Sequence, residues 1–448
     1  MKIVIAGAGE VGTHLAKMLC DENHDITLID RNKDKLKKVD ANIDILTHCG
    51  SSISFKDLIE AGVDNCDLFI AVTHYEETNI TSAILAKQIG AKKTVARIDN
   101  KEYLTQEHDS KIKALGIDFL IYPETLAAKE VLTVLKQPAT RMAYQLSSGK
   151  LFLYGLKIKK DAPILGKTLA EVANIDKELQ YRAVAIKRDE KTIIPRGNNK
   201  FLENDLIYVV TNKEGKESVM HNAGKKDWNV EIKKVMILGG SRIGVNTARE
   251  LEKKYKVKLI EIDTERCNII SNKLNKTLII NGDGRDLELL KEEGIEKVDA
   301  FIAVTENSET NILACLLAKK IGVKKTIAEV ENIDYLDLAE NIGIGTLINK
   351  KQITASYIYR FTINAEVKHF KCLTESAAEV LELVAKENSK ITQGNLKDLN
   401  FPKDANIGSI LRGNKCIIAT GDTKVEAGDR VVIFMLPSAI RKVEKFFS

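Results

Sequence analysis

Short apolar runs alternate with longer amphipathic stretches along the first third of the chain, as in a parallel α/β sheet. Apolar residues at helical spacing predict helices over residues 11–21 and 77–89, among others. The runs that predict strands are residues 3–6, 26–29, 43–47, 68–72, 94–98 and 119–122. Short connections and right-handed crossovers then favour a doubly wound, Rossmann-like topology.

The same pattern occurs a second time, about 232 residues further along the chain. The run IAGAGEVG at Ile5 recurs as ILGGSRIG at Ile237, and DLFIAVTHYEETNI at Asp67 recurs as DAFIAVTENSETNI at Asp299. Because the match extends beyond the glycine motif into helices and strands, it indicates an internal duplication.

A weaker repeat of short alternating strands and turn residues follows each unit, clearest in the segments that begin at Arg188 and Arg412. We therefore predict an α/β protein with two Rossmann-like doubly wound parallel-sheet domains, each followed by a small α+β domain. Helices predicted over 123–135 and 350–361 are expected to pack on a neighbouring or sister domain. The predicted domains are 1–137, 138–218, 232–362 and 363–448, with a linker at 219–231.

A glycine-rich turn connects the first predicted strand to the first predicted helix. Gly7 permits the tight turn, Gly9 lets the backbone approach a pyrophosphate, and Gly12 allows close helix–strand packing. Asp30, 23 positions after Gly7, ends the second predicted strand, where a carboxylate accepts hydrogen bonds from ribose and repels a 2′-phosphate. The pattern predicts a site that favours NAD(H) over NADP(H). The alternative is a purely structural turn.

Three further residues are expected at the carboxyl edge of the sheet, where open α/β sheets bind ligands. Thr73 and His74 directly follow a predicted strand, and Arg97 lies near the end of a later one. Thr73 and His74 are interpreted as ligand contacts or as a bare turn. Arg97 is interpreted as a phosphate or adenine contact or as a surface salt bridge.

The second glycine turn departs from this pattern. Ser241 stands where the middle glycine is expected and adds a side chain near the pyrophosphate. Glu261 takes the place of Asp30 and can still bind a ribose, whereas Glu329 takes the place of Arg97 and is expected to add a negative charge. The alternatives for this site are a dinucleotide site, a mononucleotide site and a degenerate structural copy.

The composition argues against several classes of function. With 68 Lys and Arg against 63 Asp and Glu, and no long block of like charge, dedicated nucleic-acid binding is not expected. The seven cysteines are scattered and form no C-x-x-C pair, which argues against disulfides and zinc and favours a reducing cytoplasm. No secretion signal is visible and the apolar runs fall short of the about 20 residues that span a bilayer, so any membrane role is expected to be peripheral.

No set of acid–base or nucleophilic residues recurs at the expected ligand edge. His48 and Cys49 are expected in the loop after the third strand, near the ligand, but the second half has Asn281, Gly282 and Asp283 in this region. The residues favour a nucleotide sensor without catalytic residues or a metal site. An NAD-dependent oxidoreductase and a free-standing nucleotide sensor are the alternatives.

Several of these motifs together resemble the domain called regulator of potassium conductance (RCK). They are the first glycine turn with Asp30, the AVT at Ala71 and Ala303, and the ETN at Glu77 and Glu309. The runs ILGKTLAEV at Ile164 and GDTKVEAGDRVV at Gly421 look like its C-terminal companion domain. The tandem pair covers essentially the whole chain and is similar to the TrkA family, the cytosolic subunits of bacterial Trk potassium uptake systems.

The resemblance implies a regulatory subunit on the cytoplasmic face of the inner membrane, forming a homotetrameric ring beneath a potassium-translocating subunit of the TrkH or TrkG type. It implies binding of NAD(H), with ATP and ADP as alternative ligands. The implied first-half contacts are Gly7, Ala8, Gly9, Glu10, Val11, Gly12, Asp30, Thr73, His74 and Arg97. The implied second-half contacts are Gly239, Gly240, Ser241, Arg242, Ile243, Gly244, Glu261 and Thr305.

Overall fold

The chain divides into two compact units. The computed structural model describes residues 1–20, 24–136, 140, 142–175, 180–189, 191–225, 231–332, 334–363, 367–373 and 376–447. Unit 1 comprises Met1–Pro123 and Lys351–Asn364, and unit 2 comprises Glu124–Lys350 and Ala365–Ser448.

Unit 1 contains a parallel sheet with helices between its strands. The strands are β1 (Lys2–Ala6), β2 (Asp25–Asp30), β3 (Leu46–Cys49), β4 (Leu68–Ala71), β5 (Lys93–Arg97) and β6 (Phe119–Ile121). The helices are α1 (Glu10–Cys20), α2 (Lys33–Asp40), α3 (Phe55–Glu60), α4 (Glu76–Ile89) and α5 (Gln106–Ala114). All strand pairs are parallel, in the order β3-β2-β1-β4-β5-β6, which confirms the predicted doubly wound topology.

The third strand lies later in the sequence than the predicted 43–47. It pairs Leu46 with Thr27 and Cys49 with Asp30, and the backbone amide of Ile43 donates instead to the carbonyl of Val39. Pairing with β2 therefore sets the boundary of this edge strand, and the local apolar run does not. In consequence His48 and Cys49 lie in β3 itself, and the predicted loop position was wrong.

The chain continues through α6 (Pro123–Leu135), which belongs to unit 2 from Glu124 onward, into an antiparallel sheet of unit 2. The strands are β7 (Met142–Leu146), β8 (Leu151–Lys157), β9 (Tyr181–Arg188), β10 (Lys191–Ile193) and β11 (Leu206–Thr211). The accompanying helices are α7 (Leu169–Ile175) and α8 (Lys216–Asn222). The strand order is β10-β9-β11-β8-β7, and the predicted small α+β domain is confirmed.

The second parallel sheet, also in unit 2, repeats the first. Its strands are β12 (Lys234–Leu238), β13 (Lys256–Glu261), β14 (Leu278–Asn281), β15 (Ala300–Ala303), β16 (Lys325–Glu329) and β17 (Thr346–Ile348). Its helices are α9 (Arg242–Leu251), α10 (Thr264–Ser271), α11 (Leu287–Glu292), α12 (Ser308–Ile321) and α13 (Asp334–Asn341). The order β14-β13-β12-β15-β16-β17 is the same as in the first sheet, so the duplication is structural as well as sequential.

The last helix–strand segment begins with α14 (Lys350–Tyr359), which ends two residues before the predicted limit. From Lys351 onward this helix belongs to unit 1, where the ring of Phe361 stacks on that of Phe119 at a centroid distance of 4.1 Å. The strands that follow in unit 2 are β18 (Val367–Cys372), β19 (Glu379–Val384), β20 (Ala405–Arg412), β21 (Lys415–Ile418) and β22 (Arg430–Met435), and the closing helix is α15 (Ile440–Phe447).

The two antiparallel sheets of unit 2 share one hydrophobic core. Tyr208 from β11 and Phe434 from β22 are completely buried in the same cluster. The buried carboxylate of Glu382 accepts hydrogen bonds from the amide and the hydroxyl of Ser147, at 3.2 and 3.0 Å. Paired burial of this kind joins the two small domains, because each sheet presents its apolar face to the other.

The predicted domain boundaries stay predictions. Helix α8 continues past residue 218, the predicted end of the first small domain. Residues 226–230 of the predicted linker lie outside the described residues.

None of the helices in the described ranges combines the length and the apolar character needed to span a membrane. The longest of these helices, α4 and α12, have 14 residues each.

Candidate functional site

The first glycine turn is closed by backbone contacts that exclude side chains at two positions. Gly7 has φ of +113°, and a Cβ atom there would lie 3.0 Å from the backbone of Thr73. A Cβ atom on Gly12 would lie 1.9 Å from the carbonyl oxygen of Gly7. At Gly9, by contrast, an added Cβ would meet nothing within 4 Å. The turn is therefore tightly packed at Gly7 and Gly12 and open at Gly9, as expected where a ligand approaches the backbone.

Asp30 fixes this turn to the end of β2. Its Oδ2 accepts a hydrogen bond from the amide of Ala8 at 2.7 Å, and its Oδ1 accepts one from the amide of Asn32 at 2.8 Å. A carboxylate has about four lone-pair positions, so both oxygens retain capacity for ribose hydroxyls. The acid and the turn predicted from sequence are thus brought together.

The backbone amides of the first turn of α1 have no hydrogen-bond acceptor within the helix. The helix begins at Glu10. Within the described ranges, no side chain accepts a hydrogen bond from the amides of Glu10, Val11 or Gly12. Exposed amides and the positive end of the helix dipole form a suitable environment for a phosphate.

Asn79 links two of the predicted site strands. Its buried amide oxygen accepts hydrogen bonds from the backbone amide and the hydroxyl of Thr73, at 2.8 and 2.7 Å. Its amide nitrogen donates to the carbonyls of Thr73 at 3.1 Å and of Arg97 at 3.0 Å. Asn79 was not among the predicted site residues, although the repeated ETN motif that contains it was the available signal.

Among the described residues, no hydrogen bond joins the side chain of His74 or Arg97 to the glycine turn, and both side chains contact residues close to them in sequence. His74 is exposed and lies edge-on to the ring of Tyr75 at 5.4 Å. The Arg97 guanidinium is mostly buried, and its Nη2 lies 3.4 Å from Oδ1 of Asp99. The structure therefore places Arg97 in an ion pair at the carboxyl end of β5, next to β4, which Thr73 follows by two residues.

The second glycine turn has the same backbone design. Gly239 has φ of +106°, and a Cβ on Gly244 would lie 2.1 Å from the Gly239 carbonyl oxygen. Glu261 repeats the role of Asp30, because its carboxylate accepts from the amides of Gly240 at 2.7 Å and Asp263 at 3.0 Å. Asn311 binds Thr305 as Asn79 binds Thr73.

Ser241 changes the start of the helix at this second turn. Its hydroxyl donates to the carbonyl of Val304 at 2.6 Å and accepts from the amide of Gly244 at 3.2 Å. The serine hydroxyl therefore caps α9 by accepting from the amide of Gly244. The corresponding amide at the first turn, that of Gly12, has no side-chain acceptor among the described residues. The second turn therefore differs from the first by a serine cap, and the predicted effect of Ser241 on ligand binding stays a prediction.

Glu329 does not carry the negative charge expected from its replacement of Arg97. Its side chain is 4% exposed, and burial raises the pKa of its carboxyl group to about 8. The neutral form therefore predominates at pH 7. The ammonium of Lys350 lies 4.0 Å from Glu329 and 2.6 Å from Glu331.

Two arginines missed by sequence reasoning line the second site, which encloses a cavity of about 290 Å³. Nε of Arg266 on α10 donates to the carbonyl of Gly240 at 2.9 Å. Arg285 follows β14 and lies 2.6 Å from Asp283, whose pKa it holds below the ordinary value through this hydrogen bond. Both cations were missed because they lie in the loop after β14 and in α10, outside the glycine motif, and become neighbours of the site only in the folded domain.

One group of side chains in the described ranges has the composition of a metal site. The potential ligand atoms of His48, Asp57 and Glu60 lie within 4.8 Å of one another. Asp57 already accepts from the amide of Ser51 at 2.6 Å, and Glu60 is half exposed, so the group is also compatible with a solvated polar cluster. The predicted absence of a metal site stays a prediction.

A further cavity of about 450 Å³ lies between the two small domains of unit 2. Its lining is mainly apolar, and the half-buried Arg182 within it donates to the carbonyl of Ala419 and, at 3.0 Å, to Oδ1 of Asn406. Arg196 likewise donates to three backbone carbonyls of the partner domain, including that of Ala405 at 3.2 Å. These arginines therefore connect the two domains.

The fold and the paired glycine turns define a protein of the tandem RCK class, with two Rossmann-like domains that each precede a small α+β domain. The TrkA-N domain family matches residues 3–123 and 235–350, and the TrkA-C domain family matches residues 153–223 and 380–448. The chain belongs to the TrkA family, which confirms the resemblance recognised in the sequence.

Relatives that match over the full length of the chain also indicate the TrkA family. The chain is 34% identical to the Trk system potassium uptake protein TrkA homolog 1 of Methanosarcina mazei, and 100% of each chain is covered. It is 35% identical to the TrkA homolog of Archaeoglobus fulgidus, again over 100% of both chains. The solved GsuK channel bound to NAD has a TM-score of 0.61 at 15% identity, covering 99% of this chain and 78% of that one.

Proposed function

We propose that this chain is the nucleotide-binding regulatory subunit of a potassium uptake system. In this proposal it gates a membrane-embedded potassium-translocating subunit of the TrkH or TrkG type in response to NAD(H), ATP or ADP. The full-length relatives that carry the name Trk system potassium uptake protein support the transport role. Its ring is proposed to be a homotetramer on the cytoplasmic face of the membrane.

The observation that carries the nucleotide assignment is the bond between the Asp30 carboxylate and the amide of Ala8. It places an acid suited to ribose beside a glycine turn and an uncapped helix N-terminus suited to phosphate. A structural neighbour, the GsuK channel, has been solved bound to NAD, which supports the same class of ligand. The contacts that we propose are those carried over from the RCK motif in both halves.

A regulatory role requires a ligand that binds two conformations with different affinity. A shift of the gate from about 1:99 to 99:1 takes on the order of 5.5 kcal/mol of differential binding. Repeated sites in a ring add their contributions, so each site needs to supply only part of this energy. No catalytic residue enters this mechanism.

Titration calorimetry on the full chain with NADH, NAD, NADPH, ATP and ADP tests the proposal. We expect binding of NADH or NAD that Asp30→Ala weakens at least tenfold, and poor binding of NADPH. Asp67→Ala is the matched control, because Asp67 also accepts a backbone amide, that of Lys2 at 2.8 Å, at the amino end of the same sheet.

Transport measurements then connect binding to function. In cells that express the chain with its membrane subunit, Asp30→Ala should abolish the response of potassium uptake to the nucleotide. An unchanged response despite lost binding would contradict gating through this site.

A further inference from the structure

A lysine from the second half of the sequence lies at the first glycine turn. Lys351 is the second residue of α14 and the first residue of the chain's return to unit 1. Its ammonium forms an ion pair with Oε2 of Glu10, the first residue of α1. About 340 residues separate the partners in sequence, so no local motif indicates the pair.

The two partners differ sharply in exposure. The Lys351 side chain is 8% exposed, whereas the Glu10 side chain is 71% exposed. Burial lowers the pKa of Lys351, and a buried ammonium needs an anionic or hydrogen-bonding partner to remain charged. Glu10 lies in solvent and can rotate away at little cost. The lysine is therefore the fixed member of the pair, and the glutamate is the replaceable one.

The position of Glu10 determines what can replace it. Glu10 directly follows Gly9, where the turn is open, and belongs to the first helical turn, whose amides lack side-chain acceptors among the described residues. A carboxylate there is stabilised by the helix dipole, as a phosphate would be. Phosphate and carboxylate then compete for the same positive region, and their like charges oppose simultaneous occupancy.

The equivalent helix position in the other repeat carries a carboxylate in place of the lysine. The helix that corresponds to α14 is α6, and its second residue is Glu124. Glu124 is buried, and its Oε1 lies 3.8 Å from Lys350. The duplication therefore places a lysine in this helix position in one repeat and a carboxylate in the other.

We propose that Lys351 is a phosphate-binding residue of the first nucleotide site, held by Glu10 when the site is empty and transferred to a ligand phosphate on binding. The inference rests on the proposed nucleotide-binding function and adds a residue outside the glycine motif. An ammonium donates up to three hydrogen bonds, and those to charged acceptors are the stronger class. Affinity at this site then depends on phosphate charge.

Titration of ATP, ADP, AMP and NADH into the full chain tests this assignment with three variants. Lys351→Met should weaken ATP and ADP binding by roughly 10- to 100-fold and affect AMP least. Glu10→Gln removes the competing carboxylate and should tighten ATP and ADP binding by about three- to tenfold. Lys92→Met is the matched control, because Lys92 pairs with Asp67 at 2.7 Å at the amino end of the sheet, and it should leave all affinities unchanged.

The outcomes separate this inference from the proposed function. Binding by the wild-type chain with unchanged affinities in Lys351→Met and Glu10→Gln would overturn the role of Lys351 alone. Absence of nucleotide binding by the wild-type chain would overturn both proposals. If thermal unfolding shows that Lys351→Met is not folded, Glu10→Gln decides alone, because its side chain is exposed and the substitution preserves its size.

Discussion

The hydroxyl of Ser241 accepts a hydrogen bond from the amide of Gly244 at 3.2 Å and thereby caps the helix of the second glycine turn. The first turn has Gly9 at this position, and its helix has no side-chain cap among the described residues. This hydroxyl is one difference between two turns whose backbone, acid and asparagine contacts are otherwise repeated. We therefore expect the first turn to bind an anion more tightly than the second, because no side-chain acceptor among the described residues competes for its amides.

Exchange of Gly9 and Ser241 should change the affinity for an anion more than it changes the free energy of unfolding. Gly9→Ser adds a capping hydroxyl where a Cβ meets nothing within 4 Å, so the chain should fold. We expect nucleotide affinity at the first site to fall by about three- to tenfold, since a cap is worth about 1 kcal/mol. Calorimetry with ADP, beside thermal unfolding, measures both effects. Unchanged affinity in Gly9→Ser would refute the competition, and Ser241→Gly should raise anion affinity at the second site.

The buried carboxyl of Glu329 should make stability depend on pH. Its folded pKa of about 8 lies above its ordinary value of 4.5, mainly because of burial, so the folded state retains a proton that the unfolded state has released. Stability should therefore fall as the pH rises through this window, by up to about 1.4 kcal/mol per pH unit, and level off above about pH 8.

Urea unfolding of wild type and Glu329→Gln at pH 6, 7, 8 and 9 measures this dependence. The amide cannot titrate, so Glu329→Gln should lose that part of the slope. The remaining groups near Glu329 are Lys350, Glu331, Glu124 and Glu306, and they are common to both proteins. Parallel pH profiles for the two proteins would show that Glu329 does not titrate in this range.

Asn79 should contribute both to the free energy of unfolding and to the shape of the first site. Asn79→Ala leaves the part-buried amide of Thr73 and the carbonyl of Arg97 without this partner, which should cost about 1–3 kcal/mol of unfolding free energy. Asn311→Ala should cost a similar amount, because the same contacts recur there. Urea unfolding checks both values.

An exposed asparagine of the same domain provides the comparison for these variants. Among the described residues, the side-chain amide of Asn65 donates only to the neighbouring Asp64, at 2.9 Å, so Asn65→Ala should change the unfolding free energy by less than about 0.5 kcal/mol. Nucleotide affinity should fall in Asn79→Ala and not in Asn65→Ala. Equal stability of Asn79→Ala and wild type would mean that this hydrogen-bond network is not needed to hold the two strands.

The predictions from sequence succeeded where the determining interactions are local. Gly7 was assigned to a tight turn and has φ of +113°, and Gly12 was assigned to close packing, where its Cβ would lie 1.9 Å from the carbonyl oxygen of Gly7. The third strand was misplaced because the apolar residues at 43 and 45 suggested an earlier start, whereas pairing of Asp30 with Cys49 sets the register. Edge strands are poorly defined by local pattern, since only one neighbour and partial burial constrain them.

The amino-acid sequence by itself determined the duplication, the alternation of strands and helices, the glycine turns and their acids, because periodicity and spacing along the chain encode them. The tertiary structure alone decided which distant residues meet at those turns. It brought Lys351 to Glu10, buried Glu329 so that its carboxyl is mainly neutral at pH 7, and placed Arg266 against Gly240. The physical reason is that ion pairing and burial depend on the neighbours that packing supplies, and these neighbours have no fixed separation in sequence.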